Sequence, residues 1–428
     1  MSKTYNHITP SNKPANGIIS FKGGQPLVTF TIGEQDRYLL GSTIRVNGTF
    51  KCLKGEGDVI EGADDVSLDS RLGILSVIDM ITLSTKRSNR TLEQIRHYGR
   101  FMASFLPVTS GANEFIAPYS GSFGATLNQN QSRLQLFQST TDGVAFSLPL
   151  MCGLFSGQNP IPLSMNWGLG GITIQINLAP DINVFKNGNA ASSEQFYYEL
   201  SDVYLSCELA IPPPMQLNQL LSQSSGQFEY NSISTYYDTI TASYSTINFN
   251  LGLSRVLSLW VNFIQTSNVN SSKHNGFTMF PLRNEDGEVA PITRLNFLRG
   301  GIKFPLNYEL EGDPEEKLIN PQLLRTYIDS ISTFTKVNRT CVNVNNTNNT
   351  RTNGEVDLEQ YNIFEGGPLY GIGVPYDAIS DLGANFSAQQ LGIVIESTLT
   401  SDNPHGAYIF CHAKNVLTYG PNGVNIQV

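Results

Sequence analysis

One pattern of elements occurs twice along this chain, and the repetition limits what it can fold into. Alternating strands, a helix, a Pro-Leu-Gly segment and closing strands appear in the first half and recur in the same order in the second. Ile211-Pro212-Pro213-Pro214 and a Gln/Ser-rich stretch to Gln227 separate the two halves. At 428 residues the chain exceeds one ordinary domain, and two of about 200 residues fit the size at which single cores stop growing. Two like domains, with no catalytic cluster in view, point to a building block rather than an enzyme.

The strands are read from period-two alternation, which puts every apolar side chain on one face of a strand. Val28, Phe30 and Ile32 alternate with Thr29 and Thr31. Ile172, Ile174, Ile176 and Leu178 alternate with Thr173, Gln175 and Asn177. The second half repeats this with Ile247, Phe249, Leu251 and Leu253, then with Leu257, Leu259, Val261 and Phe263. Ile302, Phe304, Leu306, Tyr308 and Leu310 predict a further strand, at an edge or bulged because Pro305 cannot donate to a ladder.

Two helices are expected. The first opens on the capping box Thr91-Leu92-Glu93-Gln94, with a stripe of Leu92, Ile95, Met102, Phe105 and Leu106. The second opens on Asn320 and Pro321, with Leu324, Tyr327, Ile328 and Ile331 as its stripe. Pro149-Leu150-Met151-Cys152-Gly153 corresponds to Pro368-Leu369-Tyr370-Gly371. Each half then closes on a strand, Val203–Cys207 or Ala407–Cys411.

The division that follows is a flexible polar arm over 1–16, a first sandwich over 17–211, a linker over 212–225 and a second sandwich over 226–428. The arm is expected to stay extended or disordered until something binds it. A bare sandwich needs about 100 residues, so each half carries long loops. The candidates are Lys54–Asp69, Thr109–Gln138, Asn268–Pro291 and Val337–Gln360, the last holding an Asn/Thr-rich tip.

Composition narrows the function. Charged residues make up only 15% of the chain, against about 25% in ordinary domains. A weakly charged polar surface suits packing against neighbours, where each buried charge would need a partner. The net charge of −9 argues against direct nucleic-acid binding, which needs a basic face. Five widely spaced cysteines (Cys52, Cys152, Cys207, Cys341 and Cys411) include no CxxC and read as reduced, buried thiols. The start of the chain lacks an apolar signal core, and no run reaches the ~18 apolar residues of a membrane helix.

Motifs that carry chemistry are missing. There is no HExxH, GxSxG, Walker loop or paired-cysteine zinc pattern. Gly168-Leu169-Gly170-Gly171 precedes a strand, not a helix, and reads as a turn or bulge. His7, His97, His274, His405 and His412 have no metal-like spacing. His412 follows Cys411 in an alternating strand, so the two side chains point to opposite faces. The acidic loop Glu56, Asp58, Glu61, Asp64 and Asp65 lacks EF-hand spacing and reads as solvated, as do Glu309, Glu311, Asp313, Glu315 and Glu316. Lys86, Arg87, Arg90, Arg96 and Arg100 form one basic cluster, read as a solvated helix face or a contact with an acidic neighbour, a phosphate-rich lumen or a membrane. Catalytic, cofactor-binding and metal sites are all expected to be absent.

The stretch from Leu163 to Pro214 contains an apolar strand, then Asn177-Leu178-Ala179-Pro180, then Tyr198, Leu200, Asp202, Val203 and Leu205. This wording resembles the end of the first jelly roll in capsid proteins of virophages and polinton-like viruses, within the adenovirus and tailless-phage lineage of double jelly-roll major capsid proteins. The likeness spans nearly the whole chain in architecture and this one segment in wording. It implies an all-β fold of two tandem eight-stranded jelly-roll sandwiches with short helices in the loops. It also implies a homotrimer of pseudo-hexagonal outline that tiles an icosahedral shell around double-stranded DNA. The implied partners are the chain itself, neighbouring trimers, penton and minor capsid proteins and an inner membrane, with no sequence-specific nucleic acid and no cofactor. The implied location is the virion, assembled inside the infected host cell.

Two other readings stay open on sequence. A two-domain glycan-binding or glycan-processing sandwich protein would show the same alternation, with exposed aromatics for sugar stacking and paired carboxylates for hydrolysis. Trp167 and Trp260 are its two tryptophans, Trp260 expected to be exposed or at a domain contact. A minor capsid or penton protein is the second alternative, although those of the lineage contain a single jelly roll.

Overall fold

Along Ile172–Leu178 buried and half-buried side chains alternate without a break, so Ile172, Ile174, Ile176 and Leu178 enter a core while Thr173, Gln175 and Asn177 face outward. This is the rule by which most of the molecule is built. The structure, a computed structural model, describes residues 2–55, 57–58, 60, 66–68, 72–105, 143–157, 159–187, 195–222, 225–270, 282, 284–285, 290–306, 310–311, 321–335, 371–377, 382–420 and 423–427. The expected loops at 109–138 and 337–360 lie outside the described residues, as does most of each acidic segment. So do Leu106, His274, Asn320, Cys341 and 368–370.

The first half supplies strands β1 (Ser2–Ile8), β2 (Leu27–Ile32), β3 (Tyr38–Lys54), β4 (Val66–Leu68), β5 (Ile78–Thr85), β6 (Thr91–Ile95), β7 (Val144–Pro149), β8 (Ile161–Pro162), β9 (Ile172–Leu178), β10 (Phe185–Asn187) and β11 (Phe196–Ile211). The second supplies β12 (Gly226–Ile240), β13 (Tyr244–Phe249), β14 (Val256–Gln265), β15 (Ile292–Arg299), β16 (Ile302–Lys303), β17 (Leu310–Glu311), β18 (Ile372–Pro375), β19 (Leu391–Ser397), β20 (His405–Gly420) and β21 (Gly423–Gln427). The helices are α1 (Tyr98–Phe105), α2 (Gly153–Ser156), α3 (Asp181–Val184), α4 (Pro214–Leu221) and α5 (Pro321–Ser332).

The long strands of the first half pair in the orders β1-β11-β3-β7 and β2-β9-β5-β6. Those of the second pair as β12-β20-β14-β18 and β13-β19-β15-β16. Numbering the eight strands of each half in chain order gives the same two sheets twice, 1-8-3-6 and 2-7-4-5. That is the jelly-roll order, and its repetition is the duplication expected from sequence. In both halves a helix stands between the fifth and sixth strands, α1 in one and α5 in the other.

Four expectations change. Ser2–Ile8, expected within a flexible arm, is the first strand of the first sandwich, antiparallel to β11 from Ser2↔Ile211 to Ile8↔Leu205. Its Thr4, Asn6 and Ile8 are half-buried and alternate with exposed neighbours, so a polar sequence still satisfies a ladder. Thr91–Ile95, expected as a helix start, is strand β6, paired with Ile81–Ser84 of β5, and the helix begins at Tyr98. The run from Ile302 to Leu310 is broken after two residues of β16 and resumes at β17. Finally, Pro149 corresponds to Pro375 and not to Pro368. Each ends the sixth strand of its half, opposite Arg45 and Ser258 respectively.

The segment that carries the resemblance closes on itself. Tyr198 donates its hydroxyl to the carbonyl of Ala179 at 2.7 Å, which joins the strand to the Asn177–Pro180 turn. Asp202 has φ 51, a conformation that Asp tolerates, and sits in a bulge between Ser201 and Tyr204. The bulge lets Leu200, Val203 and Leu205 all be buried.

Candidate assembly seam

The strand β14 reads Val-Leu-Ser-Leu-Trp-Val-Asn-Phe-Ile-Gln, and its first nine residues are all buried. A strand with one wet face would alternate, so both faces of this sheet are covered. Residues of the first half supply part of that cover, and the contact joins the two sandwiches.

Helix α1 lies against the outer face. Trp260 donates its indole N–H to the Ser104 hydroxyl at 3.0 Å, and that hydroxyl in turn donates to the Phe101 carbonyl. Asn262 donates to the Arg100 carbonyl at 3.1 Å, and Tyr327 of α5 donates to the Ser104 carbonyl at 2.7 Å. The bond from Tyr327 satisfies one of the last carbonyls of a short helix, which have no partner within it. Phe101 packs among Trp260, Phe334 and Phe410 with ring centroids 5.5–6.2 Å apart. Trp260 is thus at a domain contact and fully buried.

Strand β6 meets the edge of β12. Glu93 is buried and accepts three backbone N–H groups, from Gly153 at 2.8 Å, Leu154 at 2.9 Å and Ile233 at 2.8 Å. The first two open α2 in the first half, and the third is an edge donor of the second. Burial pushes the Glu93 carboxyl up to about 7, against the pull of its three N–H partners. Tyr230 donates to the Leu92 carbonyl at 3.1 Å beside it. At Gly153 a Cβ would lie 2.6 Å from the backbone of Asn231 and Ser232, so the approach of α2 to β12 requires glycine.

The expected basic cluster does not form one patch. Arg87 donates to the Met165 carbonyl at 3.0 Å, and Arg96 to Gln94 at 3.2 Å. Arg90 crosses the seam to Asn425 at 2.9 Å. Arg100 is half-buried over the Tyr408 ring at 4.3 Å, and its guanidinium is 3.2 Å from the ring Nδ1 of His97. Burial and the neighbouring arginines hold His97 down to about 4. Asp79, His97 and Arg100 line a small cleft whose far side is Asn268 and Asn270 of the second half.

His412 and Cys411 are both buried, and His412 meets the Thr333 hydroxyl at 2.9 Å. Cys52, Cys152, Cys207 and Cys411 are buried free thiols. Gly170 and Gly171 have φ 66 and 93 in the turn before β9. Among the described residues no three His, Cys, Asp or Glu side chains are placed to hold a metal. Thr91-Leu92-Glu93-Gln94 has the wording of a capping box, but that motif acts only where a helix follows directly, and here Glu93 lies on a strand.

No protein-family model matches the chain, and no curated protein sequence matches it. Solved structures match along its whole length. A chain of the PBCV-1 virus capsid has a TM-score of 0.54 at 10% identity, covering 100% of this chain and 97% of that one. A chain of the Sputnik virophage has a TM-score of 0.55 at 11% identity, covering 100% and 88%. The mavirus major capsid protein has a TM-score of 0.52 at 11% identity, covering 99% and 90%. At such identities the likeness is one of fold, and the shared fold is the double jelly roll.

Proposed function

We propose that this chain is the major capsid protein of an icosahedral double-stranded DNA virus. The observation that carries the reading is that one strand order, repeated in two joined sandwiches, matches capsid chains over 99–100% of its length. Three such chains in a ring place six like sandwiches in a near-hexagon, and a closed ring of this kind uses head-to-tail contacts. The seam supports this role, because it fixes two sandwiches as one stiff block before any partner binds. Penton proteins, minor capsid proteins and an inner membrane are the further partners of the proposal, and the virion is its location.

The glycan reading gains nothing from the tryptophans, since Trp167 and Trp260 are both buried and neither offers a stacking face. The function is tested by imaging the purified protein in negative stain. Hexagonal particles, or closed shells at high concentration, are expected. A field of featureless monomers would contradict it.

A further inference from the structure

The seam is held at two places of different chemistry. At one, Glu93 accepts three backbone N–H groups and joins β6 and α2 to β12. At the other, the first turn of α1 faces the second sandwich across the cleft lined by Asp79, His97, Arg100, Asn268 and Asn270.

His97 stands just before α1 at φ 54 and gives its carbonyl to the Phe101 N–H, which fixes the ring to the start of the helix. The ring meets that of Tyr408 of β20 edge on at 4.8 Å and lies 6.3 Å from Tyr237 of β12. Its Nδ1 is 3.2 Å from the Arg100 guanidinium, which can only donate, so Nδ1 is the acceptor and the ring is neutral. The same guanidinium rests on the Tyr408 ring at 4.3 Å. A cation of the first sandwich is thus held against the second by a His97 lone pair and a Tyr408 ring face. Arg96, just after β6, is a second cation acting on His97, and Asp79 of β5 is the one carboxylate that lines the cleft. The second sandwich presents Tyr237, Tyr408 and two carboxamides there, and no acid.

At 20 Å³ the cleft admits about one water, and His97 is half-buried on its wall, so a proton has a path to the ring. Protonated, His97 has two donors and no acceptor. It loses the Arg100 bond and sets two cations side by side, with Arg96 near them. Asp79 can pair with the new charge, but it belongs to the first sandwich, so the loss falls on the contact with the second. The ring's low value of about 4 is that of a site which refuses its proton while closed. Glu93 answers acid in the opposite sense, because the folded chain holds its proton more tightly. At the far end of α1, Ser104 is bonded to Trp260 and Tyr327, groups that do not titrate over this range, so movement is confined to the first turn.

We propose that the seam is an acid-driven hinge: protonated His97 displaces Arg100 from Tyr408, and the cleft opens between α1 and residues 268–270 while the Glu93 contact stays closed. The bistable element is the Arg100 side chain, stacked on the second sandwich in one state and released from it in the other. The device lies within one chain and does not depend on how copies assemble.

The test measures the width of the cleft in the full chain by the distance between two spin labels. The labels go on Ile182 and Ser267, both exposed and next to Asn183 and Asn268 on its two sides. Cys341 is replaced by Ser, and the described cysteines are buried. I182C/S267C/C341S is expected to show one distance at pH 7.5 and a longer one that grows in as pH falls to 4.5. Adding H97Q keeps an acceptor for Arg100 but takes up no proton, and is expected to hold the pH 7.5 distance throughout. H97N, which suits a positive φ, is the second variant. S88C/Q427C/C341S, at the end where Arg90 meets Asn425, is expected to show no change. A cleft distance that does not lengthen in acid would overturn the hinge, as would equal lengthening with and without His97. Lengthening of both label pairs together would mean loss of the whole seam and would overturn it too.

Discussion

The carboxylate of Glu93 accepts the backbone N–H of Ile233 at 2.8 Å, across 140 residues of chain and from one sandwich to the other. The same oxygen accepts Gly153 N–H, and the other accepts Leu154. An edge strand leaves a row of unpaired donors, and here a buried carboxylate caps one of them. Removing it in E93A leaves three buried donors without an acceptor, each costing about 1–3 kcal/mol. We expect a marked fall in melting temperature, with loss of contact between the halves seen as faster proteolysis near residues 212–225.

Glu93 also gives a pH slope of defined sign. Its proton is held more tightly folded, at about 7, than at the ordinary 4.5. The stability it contributes is therefore complete below about 4.5 and lost as pH rises to about 7, on the order of 3 kcal/mol. E93Q cannot titrate. The melting temperature of the wild type relative to E93Q should fall across this window, and a difference that is flat with pH would count against the assignment.

His97 and His405 act in the opposite direction. Burial is the first cause in both, and holds each down to about 4 from 6.5. Their contribution is present above about 6.5 and lost as pH falls to about 4. H405N should flatten part of the acid limb of a melting-temperature profile between pH 6.5 and 4 and leave its neutral side unchanged in slope.

Ser104 and Trp260 are a coupled pair. S104A leaves the indole N–H buried without its acceptor, and W260F removes the donor; each should cost about 1–3 kcal/mol. Because they share one hydrogen bond, the double variant should cost less than the sum, as a double-mutant cycle by chemical denaturation would register.

G153A should be destabilising by about 1–3 kcal/mol, since its methyl group meets the β12 backbone at 2.6 Å. G157A, where nothing lies within 4 Å, is the matched control and should be near neutral. Equal melting temperatures for the two would show that α2 does not abut β12 so closely.

Period-two alternation made the sandwich class and the order of elements legible, as in Ile172–Leu178 and Ile247–Phe249, because one wet face and one dry face print directly on sequence. Where both faces are covered the print fades: β14 shows no alternation in burial, and the role of Trp260 depends on a helix 156 residues earlier. Thr91–Ile95 carries a helix-start motif, yet hairpin pairing with β5, just before it in the chain, decides it as strand. Ser2–Ile8 is polar and so read as an arm, although an edge strand needs a ladder more than it needs apolar residues. The seam itself was invisible because its residues come from β6, α1, α2, β12 and β14, which only the fold brings together.

The most direct test of the account is the mass of the purified full chain in solution by light scattering. The account predicts a single species at three times 47.0 kDa, hexagonal in outline. A stable species at 47.0 kDa that does not associate at high concentration would contradict it.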